Sequence, residues 1–224
     1  MTVDRVILFL GAPGSGKGTQ SSWLAGQLGV SSLSTGEMLR VEAKRNTAAG
    51  RKLRQLLASG ALVEDGMVCE AVRARLKREL PERGIILDGF PRTLKQAVCL
   101  DEILAGMGKA GPVVLHLDVS RACLMSRLTA RRQCAVCGAI YNLLSRPSRT
   151  GNVCEKDGGR LVQRDDDTEG VIQRRVTEFD LACAPLVEYY SKADYHRIDG
   201  DLETAAVSAA ILRIVGPGKA RAAA

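Results

Sequence analysis

The residues Gly11-Ala12-Pro13-Gly14-Ser15-Gly16-Lys17-Gly18-Thr19 stand between an apolar run, Val6–Leu10, and an amphipathic stretch that begins at Lys17. A strand, a glycine loop and a helix start in that order make a cradle for phosphate. Glycines let backbone N–H groups turn inward around an anion. The helix N-terminus adds its positive end, and Lys17 brings a mobile charge to the terminal phosphates. This context makes the G-x-x-x-x-G-K match a P-loop, with Gly14, Ser15, Gly16, Lys17, Gly18 and Thr19 as the nucleotide contacts. The residue after the lysine is Gly18 rather than a serine or threonine, and the hydroxyl arrives one place later, at Thr19. A hydroxyl ligand for Mg²⁺ is therefore missing from its usual position. The motif specifies a nucleotide, not a reaction.

Two further segments, Ser34-Thr35-Gly36-Glu37-Met38-Leu39-Arg40 and Leu87-Asp88-Gly89-Phe90-Pro91-Arg92-Thr93, each follow a short apolar run and open a helical one. Thr35 reads as a hydroxyl cap with Met38 three residues on, an incomplete capping box. Arg40 falls one turn into its helix and can point back to the helix start. Asp88 falls at the carboxyl end of its strand, the side on which open α/β sheets bind ligands. Gln96 follows one turn after Arg92. A lone arginine most often ends in a surface salt bridge. Two of them at strand ends shared with a phosphate loop point to a second anion site, since a planar guanidinium grips phosphate oxygens in pairs.

The third constellation is Cys134-x2-Cys137-x16-Cys154-x2-Asp157. Paired knuckles are the pattern of a tetrahedral zinc site, and an Asp oxygen is an acceptable fourth ligand. Gly138 and Gly158-Gly159 supply the tight turns each knuckle needs. Two unrelated thiol pairs, or a three-thiol site without metal, are the alternatives. Four protein ligands leave no open coordination position, so such a metal is structural. Cys69, Cys99, Cys123 and Cys183 fall at apolar positions of helical stretches and read as buried side chains.

The elements that must position these groups alternate. Val6–Leu10, Ile85–Leu87 and Val113–Leu117 read as buried strands, with Leu33–Ser34 and His196–Ile198 as shorter ones. Between them lie amphipathic segments: Lys17–Leu28, Glu37–Arg45, Ala48–Ala58, Asp65–Glu79, Leu94–Ala105 and Arg121–Arg131. Val171–Lys192 and Leu202–Val215 are late helices, the first broken or kinked at Cys183-Ala184-Pro185. Strand–helix alternation predicts an α/β fold of three layers, a central parallel sheet with helices on both faces. Gln133–Gly159 breaks the rhythm and reads as an inserted subdomain. Between Asp118 and Glu155 there is no acidic residue, yet Arg121, Arg127, Arg131, Arg132, Arg146 and Arg149 fall there. The tail 217–224 reads as a frayed end.

Composition sets the outer bounds. The chain has 224 residues, 46% apolar and 25% charged, which excludes a disordered, collagenous or coiled-coil protein. No apolar run reaches membrane-span length, and no signal peptide is apparent, so no membrane and a cytoplasmic address are expected. The net charge of +7 favours anionic partners. Seven cysteines, an odd number, argue against a disulfide framework.

GAPGSGKGTQ, STGEMLR and LDGFPRT, in this order and spacing, resemble the adenylate kinase family of nucleoside monophosphate kinases, in its long form with a large lid. The resemblance runs from Val6 to the late helices. It implies transfer of the γ-phosphoryl group of Mg-ATP to AMP, giving two ADP, by a monomer that uses Mg²⁺ with ATP and a structural Zn²⁺ in the lid. It implies a core of residues 1–33, 64–129 and 168–224, an AMP-binding arm of 34–63 and a metal-bearing lid of 130–167. Thr35, Arg40, Ala61, Leu62, Val63, Gly89, Phe90, Pro91, Arg92 and Gln96 match AMP contacts. Lys17, Arg92, Arg127, Arg131, Arg164 and Arg175 match the cations around the transferred phosphoryl group, Arg164 and Arg175 also reaching AMP. Ile140-Tyr141 and the backbone of Arg197 match contacts to the ATP base. Asp88, Asp166 and Asp167 match acids that organise arginines and hydrated Mg²⁺, while Asp165 stands at a variable position and reads as a solvated charge. The same three-Cys, one-Asp set occurs in some zinc-bearing members.

The chemistry needs no protein base, because the attacking phosphate oxygen is already ionised. The task is alignment and charge neutralisation. A UMP/CMP kinase is a second reading, opposed by the long metal-bearing lid, Thr35 and Gln96. A nucleic-acid-binding zinc ribbon is a third, opposed by the 4% aromatic content, which leaves little for base stacking.

Overall fold

A computed structural model describes residues 5–79 and 84–216. The expectation for the tail 217–224 lies outside these. Strand β1 (Val6–Gly11) is followed by α1 (Lys17–Leu28), β2 (Ser31–Ser34), α2 (Thr35–Ala43), α3 (Ala48–Ser59) and α4 (Asp65–Glu79). Then come β3 (Ile85–Asp88), α5 (Leu94–Gly106), β4 (Val113–Asp118) and α6 (Arg121–Thr129). Three short strands follow, β5 (Arg131–Cys134), β6 (Ile140–Asn142) and β7 (Leu161–Val162). A 3₁₀ turn (Asp165–Asp167), α7 (Glu169–Tyr190), β8 (Asp194–Asp199) and α8 (Thr204–Val215) complete the chain.

The long sheet has the order β2-β3-β1-β4-β8, and every pairing in it is parallel. The period of two in a strand explains the layering. Val6, Leu8 and Leu10 of β1 point into one cluster with Leu39, Leu53, Val72, Leu100 and Tyr190. Ile7 and Phe9 point to the other face, onto Leu24 of α1 and Val207, Ile211 and Val215 of α8. One apolar run thus serves two cores, which is why it alternates so little in the sequence. The chain passes from β1 to one side of the sheet for β2 and β3, then to the other for β4 and β8. The crevice at that reversal lies at the carboxyl end of β1, where the glycine loop begins.

The segment read as an inserted subdomain folds as a separate antiparallel sheet of order β6-β5-β7. Its core is only Cys134, Tyr141, Cys154 and Leu161, with Ala139 against it.

Five expectations are corrected. Helix α2 starts earlier than Glu37, because Ser34 rather than Thr35 is the cap and accepts from Glu37 N–H at 3.4 Å. The sequence Ser34-x-x-Glu37 therefore has the capping-box spacing that was assigned to the wrong register. Helix α6 ends at Thr129 rather than Arg131, since Arg131–Cys134 pairs with β6 and β7. Strand β8 is twice the expected length because it completes the edge beside β4. Helix α7 runs unbroken through Pro185. The carbonyl that loses its partner there belongs to Leu181, a residue 75% exposed, so water can satisfy it. Cys69, Cys99, Cys123 and Cys183 do lie on helices, but they are half-buried rather than buried.

Candidate functional site

The glycine loop leaves β1 and closes onto α1. Gly14 and Gly16 have φ of +85° and +97°, conformations that only glycine takes without strain. A Cβ on Gly14 would also lie 2.7 Å from Leu128 of α6. Gly16 has nothing within 4 Å of that position, which leaves the mouth of the loop clear. The Lys17 ammonium donates to the carbonyls of Gly11 at 2.7 Å and Ala12 at 2.8 Å, with Ser15 Oγ at 3.4 Å. Burial lowers its pKa to about 8, helped by Arg92, Arg175 and Arg131 and opposed by Asp88. Asp88 ends β3 beside the loop, and a Cβ on Gly18 would meet its Oδ2 at 3.4 Å.

A cleft opens between α2, the end of α3 and the turn after β3. Thr35, Arg40, Gly89, Arg92, Gln96 and Arg175 line it together with Ala61-Leu62-Val63, so residues far apart in the sequence converge there. Phe90 is buried in the main core, and the peptide between Phe90 and Pro91 is cis. Thr35 Oγ1 donates to the Gly89 carbonyl at 2.8 Å, tying the start of α2 to the end of β3. Arg92 Nε donates to the same carbonyl at 2.9 Å, which leaves its terminal nitrogens near Gly36.

Gln96 Oε1 accepts from Arg92 N–H at 2.8 Å, and its Nε2 donates to Asp65 Oδ1 at 2.7 Å. An amide keeps one further donor and one acceptor lone pair, enough to read an adenine edge. Asp65 was missed as a site residue. It also accepts from Thr93 Oγ1 at 3.0 Å. Both partners lie about thirty residues away, and the only local signal was an acid just past Ala61-Leu62-Val63.

Lys17, Arg40, Arg92, Arg131, Arg164 and Arg175 form one cationic cluster. The pKa values of Arg40, Arg92, Arg164 and Arg175 are all lowered, by burial first and then by neighbouring arginines, with Asp166 opposing in each. Arg131 grips Asp167 with two nitrogens, Nε at 2.7 Å from Oδ2 and Nη2 on Oδ1. Arg175 Nη1 meets Asp166 Oδ2 at 2.9 Å and Asp167 Oδ1 at 3.3 Å. Asp167 is fully buried and spends its oxygens on arginines. Arg127 stands apart from the cluster and donates to the Gly200 carbonyl at 2.8 Å. The Arg197 side chain pairs with Asp118. Thr19 is exposed on α1, and Ile140 is exposed on the small sheet.

The cluster of three cysteines and Asp157 comes together as its spacing predicted. One ligand atom from each of Cys134, Cys137, Cys154 and Asp157 lies within 4.8 Å of the others. Cys137 Sγ and Cys154 Sγ are 3.6 Å apart, and Cys134 Sγ is 3.3 Å from Asp157 Oδ1. Tetrahedral zinc with Zn–S near 2.3 Å sets such edges at roughly 3.5–3.8 Å. Val136 N–H and Lys156 N–H each point at a cysteine sulfur at 3.4 Å, and Gly159 N–H at Asp157 Oδ1 at 2.9 Å. Such N–H donors orient and stabilise thiolate and carboxylate ligands. Tyr141 is committed here: its hydroxyl meets Cys154 Sγ at 3.4 Å and accepts from Glu155 N–H at 2.9 Å. Any base contact from Ile140-Tyr141 therefore falls to Ile140 and the backbone.

A family model described as adenylate kinase matches residues 9–195. The chain is 43% identical over 210 residues to an adenylate kinase of Geobacter sp. (strain M21), covering 93% of this chain and 98% of that one. It is 41% identical over 215 residues to an adenylate kinase of Methanocella arvoryzae, with 94% and 99% covered. An adenylate kinase of Bacillus subtilis (strain 168) is 40% identical over 189 residues, with 84% and 87% covered.

Proposed function

The chain belongs to the adenylate kinase family and carries its activity, the reversible conversion of ATP and AMP to two ADP, and we propose that the cation cluster between loop and cleft is where the phosphoryl group passes. The observation that carries this reading is the convergence of two anion sites on one rim of the sheet. The P-loop residues Gly14 to Thr19 hold the ATP phosphates. The cleft takes AMP, its phosphate on Arg40 and Arg92, its base under Ala61-Leu62-Val63 and against Gln96. Arg131, Arg164 and Arg175 stand between, with Lys17, as donors for charge on the transferring group. Arg127 joins them only by leaving the Gly200 carbonyl.

Mg²⁺ arrives with ATP and neutralises its phosphate oxygens, while Asp88 and Asp166 hold its water shell. The donor set and the N–H groups aimed at it fit Zn²⁺ in the lid, held by Cys134, Cys137, Cys154 and Asp157. A unit of roughly 40 residues cannot bury enough core by itself, so the ion's part is to supply folding energy. Residues 34–63 act as the AMP arm and 130–167 as the lid. A cytoplasmic monomer with no nucleic-acid partner completes the reading.

The test is Mg-dependent transfer from ATP, run separately with AMP, UMP, CMP and GMP. Turnover with AMP and little with the others is expected. A preference for another monophosphate would overturn the base-reading roles of Thr35 and Gln96.

A further inference from the structure

The arginines of the cluster are aimed by different means. Asp167 and Asp166 aim Arg131 and Arg175, and the Gly89 carbonyl aims Arg92. Arg164 is held by a neutral side chain: its Nε donates to Gln133 Oε1 at 2.6 Å. The other end of that amide, Nε2, donates to the Gly138 carbonyl at 3.3 Å. Gly138 follows Cys137 and closes the first knuckle by donating to the Cys134 carbonyl at 3.1 Å. The amide has one orientation only, because a guanidinium N–H can only donate and a carbonyl can only accept. Gln133 sits on β5 opposite Ile140 and Val162, between the knuckle turn and the strand that leads to Arg164.

We propose that Gln133 is a positioning residue for the phosphoryl transfer, a strut that fixes the Arg164 guanidinium against the first knuckle of the lid. The choice of a neutral acceptor has a chemical reason. A carboxylate at this place would pair the guanidinium's charge and compete with phosphate. An amide fixes direction and leaves the full positive charge for the transferring group. The inference rests on the role given above to Arg164.

A double-mutant cycle tests it, with Gln133→Leu, Arg164→Lys and the pair, since Lys lacks the Nε–H that Gln133 receives. Each protein is assayed for kcat, for KM of both nucleotides, for melting temperature and for metal per chain. Gln133→Leu is expected to lower kcat about tenfold with KM within about twofold, and with metal content and melting temperature kept. In the Arg164→Lys background the same change is expected to cost nothing further. Additive losses would overturn the inference while leaving Arg164 its role. Full kcat in Gln133→Leu would overturn it too. Full kcat in Arg164→Lys would remove the role of Arg164 and the inference with it. If Gln133→Leu loses metal, Gln133→Met, unbranched and of similar reach, is run through the same cycle. Metal loss in both would make Gln133 a lid-folding residue and overturn the inference.

Discussion

At the scale of single residues, Lys17 shows how a site can store a charge where burial disfavours it. Its ammonium keeps its hydrogens on the Gly11 and Ala12 carbonyls, yet its pKa falls to about 8 from an ordinary 10.5. Below about pH 8 the folded and unfolded chains both carry this proton, and the native state bears the cost of burying it. Between about 8 and 10.5 the native state sheds a proton that the unfolded chain keeps, so this group adds stability as pH rises. Phosphate binding needs the proton. We therefore expect kcat/KM for ATP to fall above about pH 8 while the melting temperature does not fall in step. A pH series of initial rates beside thermal melts checks this, and a rate loss that tracks unfolding would refute it. Lys17 was legible because its partners are its own loop. Asp65 was not, because its meaning depends on Gln96 and Thr93, which only the packing of α4 on α5 brings to it. Nothing local to Tyr141 showed that its hydroxyl is claimed by Cys154 and Glu155.

At the scale of elements, the sequence was most readable where one periodicity had one cause. The buried strands β1 and β3 are apolar runs, β4 is one interrupted only by His116 before its closing Asp118, and their helices alternate with them at helical spacing. Boundaries slipped where a second partner decided. Arg131 looked like the end of a helix until the lid sheet claimed it, and Pro185 looked like a break in a helix whose packing carries through it. The lid strands were illegible, since three short segments with a four-residue core offer no period to read. Their weakness is also a prediction. Cys134, Tyr141, Cys154 and Leu161 are too few to hold three strands together, so on the proposed reading a metal at the knuckles would have to do it. We expect about one zinc per chain by elemental analysis. Stripping it with a strong chelator, or substituting Asp157→Ala, should lower the melting temperature by about 5 °C or more. The large sheet should persist in the stripped protein. An unchanged melting temperature after verified metal loss would show that the lid folds without it.

At the scale of the molecule, the positions of the charges argue for movement. Arg40 comes from residues 34–63, the proposed arm, Arg131 and Arg164 from 130–167, the proposed lid, and Lys17, Arg92 and Arg175 from the rest of the chain. The mutual influence is direct: Arg131 and Arg40 both lower the pKa of Arg164, and Arg131 and Arg175 both lower that of Arg40. Without an anion, drawing these three segments together concentrates positive charge, and Asp88, Asp166 and Asp167 offset only part of it. Two nucleotides bring the missing negative charge to the point where the segments meet. On the proposed reading they would bind the drawn-together arrangement better than the separated one, and that difference in affinity would shift the population. Closure would also keep water from the γ-phosphoryl group, favouring transfer to AMP over hydrolysis. Thiol-directed labels would compete with the cysteines of the lid, so solution scattering is the suitable probe. A bisubstrate analogue, two adenosines joined through a polyphosphate, is expected to reduce the radius of gyration, and high salt to weaken the effect by screening the same charges. A scattering curve unchanged at saturating analogue would mean that the arm and lid already sit closed, and that the repulsion among these arginines is met by the three acids alone.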